Sequence, residues 1–572
     1  MGELFFNQNI VGVKYFKNIT HFDRIIIMRI TLAQLNAKVG DIEGNKNKIK
    51  HYYKKAIAEK SDIIVFPELA ITGYPPLDLI EKKSFIEKNL KALNEIVKET
   101  GETACVIGYI DINNKKQGKK LHNSAAFIQN KKILLKTHKT LLPTYDIFDE
   151  ERYFEPYIGN KIIKFKNKNI AITICEEIWA DTKLLPNSNL YAYNPMKNIL
   201  KKAELIINLS ASPFEKNKFS KRLNILSELS KKHNKEIVYL NATGANDELI
   251  FDGGSFIIAK NGKKIKALSQ FKEECETIEL NEIVSRKVVK LREEEEIKEA
   301  IILGIRDYFQ KQGFSKAVIG LSGGIDSALV ATLAAQALGS QNILGVLMPS
   351  PYTSRQSIED ALKLAKNLNI KTEIVDIGKI YDSYAKTLFL NKENIDISLQ
   401  NIQSRIRGNI LMSFSNRYGY LVLTTGNKSE ISMGYCTLYG DTAGAIAPIG
   451  DLLKTDVYKL ANFLNTKNEL IPLSIIKRPP TAELKPGQKD QDDLPPYEIL
   501  DRIIKLYIEE NLSTNEIAKK IGDRKLAEDT ILRIERNEYK RKQLPITLKL
   551  SKKSFGAGRK FPIVKGLDCF IK

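Results

Sequence analysis

Two groups of residues in this chain have types and spacing that suit chemistry. The first is the run Gly320-Leu321-Ser322-Gly323-Gly324-Ile325-Asp326-Ser327. A Gly-rich turn lets backbone N–H groups approach a phosphate without obstruction by Cβ, and a helix N-terminus beyond it adds its positive dipole end. No Gly-Lys-Ser/Thr follows, so this is not the loop of the phosphate-transferring NTPases. The second group is dispersed: Glu68 in Phe66-Pro67-Glu68-Leu69, Lys139 in His138-Lys139-Thr140, and Cys175 in Ile174-Cys175-Glu176-Glu177. A thiol needs a base to act as a nucleophile near neutral pH. A buried carboxylate can take the thiol proton and return it to a leaving group, and a lysine can stabilise the oxyanion of a tetrahedral intermediate. Such a set needs no histidine.

The elements around these residues are legible from periodicity. The Gly-rich run follows an apolar stretch, 317–321, that reads as a buried strand, and precedes an Ala/Leu-rich stretch, 328–338, that reads as a helix. Glu68 comes just after a strand ending at Phe66, and Cys175 directly after the strand 170–174. Further short apolar strands at 104–108, 205–208 and 237–240 alternate with helical segments. This is the α/β pattern of sheets covered by helices. From Ile297 to about Thr424 a second such pattern reads as a doubly wound parallel sheet, with strands at 317–321, 343–348, 372–377 and 420–424. Ligands in such sheets bind beyond the carboxyl ends of the strands, which is where the Gly-rich run lies. After Lys477 the chain turns rich in Pro, Gly, Lys and Asp up to Pro496, a loop composition, before helices and a basic tail. The expected units are an atypical extension at 1–27, a first domain at 28–280, a charged connector at 281–296 and a second domain at 297–572. A translation start at Met28 would account for the extension, which lacks the long apolar core of a signal peptide.

A chain of 572 residues is too long for one core. Its 43% hydrophobic and 27% charged residues are ordinary for a globular protein, and no apolar run is long enough to span a membrane. The net charge of +21 raises the question of nucleic acid. The basic residues are mostly scattered lysines among abundant Ile and Asn, so a compositional bias explains them better. The five cysteines are widely spaced, with no CxxC, which suits a reducing cytoplasm and argues against a disulfide framework or zinc site.

Ser-Gly-Gly-x-Asp-Ser at 322–327 resembles the pyrophosphate loop of the ATP pyrophosphatases, which implies adenylyl transfer. Glu68, Lys139 and Cys175, in this order and in these flanks, resemble the Glu-Lys-Cys triad of the nitrilase superfamily over residues 28–280. That likeness implies an N-terminal αββα sandwich beside the C-terminal Rossmann-like sheet. Pro143 to Glu150 and Leu209 to Phe214 are similar to the substrate loops of the glutamine-hydrolysing members, which puts Tyr145, Ser212 and Lys218 at glutamine-contacting positions. The order of the two halves, with the stretches 401–407, 424–430, 439–444, 448–454 and 478–484, resembles the glutamine-dependent NAD+ synthetases.

The resemblance implies roles. Gly320, Leu321, Ser322, Gly323, Gly324, Ile325, Asp326, Ser327 and Thr425 would bind ATP. Asn401, Glu430, Tyr435, Cys436, Thr437, Leu438, Asp441, Lys454 and Lys549 would bind deamido-NAD+. Asp326 and Glu430 would hold Mg2+; whether Glu430 serves metal, substrate or both stays open. Thr481 would lie on a closing loop. The implied partners are ATP, deamido-NAD+ and L-glutamine, with no nucleic acid and no membrane, in a cytoplasmic homo-oligomer, an octamer by family. An enclosed passage for ammonia is also expected. Two rivals remain: a tRNA-modifying enzyme that uses the same loop, in which the triad has no task, and a nitrilase-type amidase with a regulatory nucleotide module.

Overall fold

The computed structural model describes residues 28–181, 190–280 and 291–570; the expected extension 1–27 and most of the expected connector lie outside them. The N-terminal half is a sandwich of two six-stranded sheets. In the first, the strands Arg29–Gln34, Ile63–Val65 and Ala104–Ile112 run parallel at the centre. Antiparallel strands Leu121–Gln129 and Lys132–His138 extend one edge, and Glu274–Glu279 the other. In the second, Lys168–Ile174, Leu205–Ser210 and Glu236–Asn241 are the parallel centre.

The central strands are apolar on both faces because both are covered. Ile30, Leu32, Ile63, Val65, Ile170, Ile172 and Ile174 meet in the layer between the sheets. Their neighbours Ala33, Ile64 and Phe66 face out onto the helices Ile42–Ala58 and Lys83–Glu99. Ala171, Ile206 and Ile237 face the helices Met196–Lys202 and Lys218–His233. This is the expected αββα arrangement.

The C-terminal half is built on a four-stranded parallel sheet in the order Lys371–Ile374, Ile343–Leu347, Ala317–Gly320, Leu421–Val422. Ile319 faces the helices Glu293–Gln312 and Ile325–Leu338. Val318 faces the helices Gly378–Thr387 and Ile397–Tyr418 on the other side. The sheet is therefore doubly wound. Its strands are shorter than periodicity suggests. After Ile374 the chain turns at Asp376, whose Oδ1 accepts Gly378 N–H at 2.6 Å. The helix after the Gly-rich run starts at Ile325 rather than Ala328. The strand order reverses between Ala317–Gly320 and Leu421–Val422, so a cleft opens at their carboxyl ends.

The halves share a core. Phe214, Ala245, Ile250 and Phe271 of the first pack with Ile297, Ala300 and Leu548 of the second. Polar ties flank this core. Asp307 Oδ2 accepts Asn36 Nδ2 at 2.9 Å and Ala245 N–H at 2.7 Å, and Lys311 Nζ donates to Ala245 O at 2.8 Å. Among the described residues, no helix is long and apolar enough to cross a membrane.

Candidate active sites

Glu68, Lys139 and Cys175 converge between the carboxyl ends of the two sheets. Lys139 Nζ donates to Glu68 Oε1 at 2.8 Å, and both side chains are fully buried. Glu68 is aimed by three donors in all: Asn123 Nδ2 reaches the same Oε1 at 2.7 Å, and Ala211 N–H reaches Oε2 at 3.0 Å. Cys175 opens a short 3-10 turn directly after its strand and sits at φ +44°. A side chain seldom adopts this left-handed backbone unless the surroundings impose it. Burial pushes its thiol pKa up and the Glu68 carboxylate adds to this, while the Lys139 ammonium opposes both. The shift favours the protonated thiol, with a carboxylate beside it to receive the proton.

The sequence reading missed a fourth member. Glu150 Oε1 accepts Lys139 Nζ at 2.7 Å and Tyr74 OH at 2.8 Å. Burial raises its pKa against the pull of Lys139. Glu150 lies in the quoted loop 143–150 as one of four acids between Asp146 and Glu151, with nothing local to mark it as buried.

The expected glutamine contacts ring this centre. Tyr145 OH donates to Glu176 Oε1 at 2.8 Å, and Tyr191 OH reaches the same oxygen at 3.2 Å. Ser212 is buried with its N–H on Asn241 Oδ1 at 2.8 Å. Lys218 Nζ donates to Pro213 O at 2.9 Å, and among the described residues no carboxylate forms an ion pair with it. Burial lowers its pKa, as do the Arg222 and Lys549 cations nearby. The Glu215 carboxylate opposes this shift without forming an ion pair with the lysine. Behind Glu68 lies a void of about 10 Å³ lined by Tyr74, Thr243, Asn246 and Phe251. Its wall residue Asn246 also accepts Lys311 Nζ at 3.1 Å, through Oδ1.

The C-terminal cleft has a volume of about 780 Å³. Residues 320–327, Asn401, Thr425, Glu430, residues 435–438, Asp441, Lys454 and Thr481 all line it. At the phosphate loop, Gly323 has φ +78°, and a Cβ there would lie 2.3 Å from Ser357 O, so only glycine fits. Ser322 Oγ accepts Gly324 N–H at 3.2 Å and lies 3.1 Å from Ser327 Oγ, which fixes the curl of the loop. Asp326 and Glu430 face one another across Lys454 Nζ, at 2.5 and 3.0 Å. Burial raises the pKa of Glu430, partly offset by Lys454. Among the described residues, no cluster of three or more His, Cys, Asp or Glu side chains suits a metal ion. The pair Asp326 and Glu430 is nevertheless a donor set of the kind Mg2+ uses together with substrate phosphates.

The loop bearing Thr481 lies over the cleft. Glu483 Oε1 accepts Ser357 Oγ at 2.8 Å, Arg478 donates to the same hydroxyl at 2.7 Å, and Thr481 Oγ1 donates to Gln488 O at 2.6 Å.

Lys549 is not at this cleft. Its Nζ donates to Ser551 O at 2.8 Å and pairs with Asp146 Oδ2 at 3.1 Å, on the glutamine-side loop. The basic tail reaches the cleft through Lys540 instead. Lys540 Nζ is held by the carbonyls of Gly434 and Cys436 at 2.6 and 2.8 Å, next to Arg533. Neither Arg533 nor Lys540 was singled out in sequence, since lysines scattered through residues 540–553 give no local basis for choosing among them.

Comparison with known proteins agrees with both halves. Residues 29–287 match the Carbon-nitrogen hydrolase family and residues 271–544 match NAD synthase. A glutamine-dependent NAD(+) synthetase of Thermotoga maritima is 44% identical over 580 aligned positions, covering 94% of this chain and 98% of that one. One from Synechocystis sp. is 42% identical over 549, with the same coverage. Among solved structures, the glutamine-dependent NAD+ synthetase from Acinetobacter baumannii in complex with ADP is 34% identical with a TM-score of 0.75, covering 95% of this chain and 99% of that chain.

Proposed function

Because the chain belongs to the glutamine-dependent NAD(+) synthetases, ligases that amidate deamido-NAD+ using ATP and ammonia taken from glutamine, we propose how its residues divide that work. At the N-terminal site Cys175 Sγ attacks the side-chain carbonyl carbon of glutamine while Glu68 takes the thiol proton. Lys139 donates to the oxyanion. When the C–N bond breaks, Glu68 returns the proton to the leaving nitrogen, ammonia departs, and a thioester remains on Cys175. Water activated by Glu68 then releases glutamate. Glu150 holds Lys139 in place. Lys218 pairs with the α-carboxylate of glutamine, and Tyr145 and Ser212 contact its polar end.

At the C-terminal site the nicotinate carboxylate of deamido-NAD+ attacks the α-phosphorus of ATP. Pyrophosphate leaves, held by the backbone N–H groups of residues 322–327. Ammonia attacks the acyl carbon of the adenylate, AMP leaves, and loss of a proton gives NAD+. Thr425 contacts ATP; Asn401, Glu430, residues 435–438 and Asp441 contact the dinucleotide, with Lys540 rather than Lys549 at a substrate phosphate. Lys454, expected on the dinucleotide, is given to the ATP phosphates because it pairs with Asp326 of the phosphate loop. Asp326 and Glu430 would hold Mg2+ together with ATP, and the cation would supply positive charge at the phosphates. The loop at Thr481 excludes water from the adenylate. The void behind Glu68 starts the route for ammonia. A cytoplasmic homo-oligomer, an octamer by family, completes the proposal.

The observation that carries this reading is that a buried carboxylate–lysine–thiol cluster and a glycine phosphate loop stand complete on one chain with a shared core. The test supplies deamido-NAD+, ATP and either glutamine or ammonium, and follows NAD+ and AMP. Cys175→Ala should abolish use of glutamine and leave use of ammonium within about twofold, since the thiol serves only the first step. Loss of both, with the protein folded, would sink the two-site assignment.

A further inference from the structure

Lys454 occupies a position built for a cation. Its side chain is 2% exposed, and its Nζ bridges Asp326 Oδ2 and Glu430 Oε1. One asparagine aims the first carboxylate and caps the helix Lys428–Met433 that carries the second. Asn427 Nδ2 donates to Asp326 Oδ1 at 2.9 Å, and Asn427 Oδ1 accepts Glu430 N–H at 3.0 Å. A third acid flanks the pair. Asp490 Oδ2 accepts Tyr497 OH at 2.9 Å, and its buried Oδ1 has no hydrogen-bond partner among the described residues. The Tyr497 ring lies 5.4 Å from Lys454 Nζ. The lysine backbone is fixed: Lys454 N–H donates to Ser429 Oγ at 2.9 Å and begins the helix Lys454–Leu464. The side chain above that anchor has four rotatable bonds, and the phosphate loop lines the same cleft.

These are the two carboxylates that the proposed function gives to Mg2+, and the inference rests on that reading. A divalent cation and an ammonium cannot share one pair of carboxylates without strong repulsion between them. We infer that Lys454 is an exchangeable counter-ion: in the nucleotide-free enzyme it keeps the divalent cation out, and it yields the carboxylates only when ATP phosphates draw its ammonium away. Before exchange, two carboxylates face one ammonium. After it, they face a divalent cation while Lys454 neutralises a phosphate oxygen. Neither carboxylate of the pair is left without a cation in either state. The metal therefore arrives with the nucleotide and never ahead of it, and the reactive site is not assembled without ATP.

Mn2+ is the probe, followed by its electron-spin resonance signal on the full chain. Without nucleotide, wild type should bind Mn2+ at this site at least tenfold more weakly than Lys454→Met does. Lys454→Arg, which keeps the charge, should behave as wild type. Adding Asp326→Asn to Lys454→Met should remove the gained binding. Tight Mn2+ binding by nucleotide-free wild type, or no gain in Lys454→Met, overturns the exchange. The wild-type arm stands by itself if Lys454→Met does not fold. A separate arm adds α,β-methylene-ATP to wild type and to Asp326→Asn. If Mn2+ bound with the analogue depends on Asp326, the metal assignment survives a failed exchange; if it does not, the metal assignment itself falls.

Discussion

Glu68→Gln tests the N-terminal chemistry most sharply, because the two side chains have nearly the same shape. Every oxygen of the Glu68 carboxylate faces a donor: Oε1 meets Lys139 Nζ at 2.8 Å and Asn123 Nδ2 at 2.7 Å, and Oε2 meets Ala211 N–H at 3.0 Å. An amide has one oxygen and one NH2. It will turn its oxygen to the two donors and its NH2 to Ala211, which leaves one buried N–H facing another. An unsatisfied buried donor costs about 1–3 kcal/mol, so the variant should be less stable by about that amount. It should still fold, since Glu150 remains on Lys139 at 2.7 Å and keeps the ammonium paired. The amide cannot take the thiol proton. Loss of a general base lowers such rates by about 10²–10⁴-fold. The assay measures glutamate release, NAD+ formation with glutamine, and NAD+ formation with ammonium. The first two should fall together by that factor, and the third should stay within about twofold. Glutaminase within tenfold of wild type would refute Glu68 as the base, and an equal fall with ammonium would refute the separation of the sites.

Three further outcomes follow from named contacts. Gly323→Ala, whose Cβ would lie 2.3 Å from Ser357 O, should lower NAD+ synthesis from both donors by about 10²-fold or more while glutaminase persists. Lys218→Met should weaken kcat/KM for glutamine by about ten- to a hundredfold, the worth of a charge-assisted hydrogen bond of about 1.5–3 kcal/mol, and leave ammonium use untouched. Lys216 pairs with Asp456 at 3.1 Å and Glu293 at 3.4 Å, tying the loop that bears Ser212 and leads into the helix starting at Lys218 to the helix that starts at Lys454. Lys216→Met should loosen that loop by about 1 kcal/mol and lower glutamine-dependent relative to ammonium-dependent synthesis about fivefold; an unchanged ratio would mean that the pair positions nothing.

The parts of the fold legible in the sequence were those where burial leaves a local mark. Ile63–Val65, residues 170–174 and Ala317–Gly320 are largely apolar runs because both of their faces are covered, and each ends beside a candidate site residue. Edge strands such as Lys132–His138 alternate exposed and half-buried residues, so they do not stand out from helical or loop segments. The Glu68, Lys139 and Cys175 set was readable because its flanks are distinctive. Glu150 was not, because its burial depends on Tyr74 and Lys139, which are distant in sequence or across a turn. The choice of Lys540 over Lys549 depends on which lysine folds back onto the carbonyls of Gly434 and Cys436, a long-range fact with no local signature.

The apolar layer shared by the two halves decides how this polypeptide can be dissected. A cut near residue 290 would bare Phe214, Ile250 and Phe271 on one fragment and Ile297, Ala300 and Ile301 on the other. Each piece would carry a sticky face and would be expected to aggregate or to seek its mate. Transplanting either half onto a new partner would first require polar residues across that face. The two activities are thus welded rather than strung together, and swapping in a different ammonia source is a problem of interface redesign before it is one of catalysis.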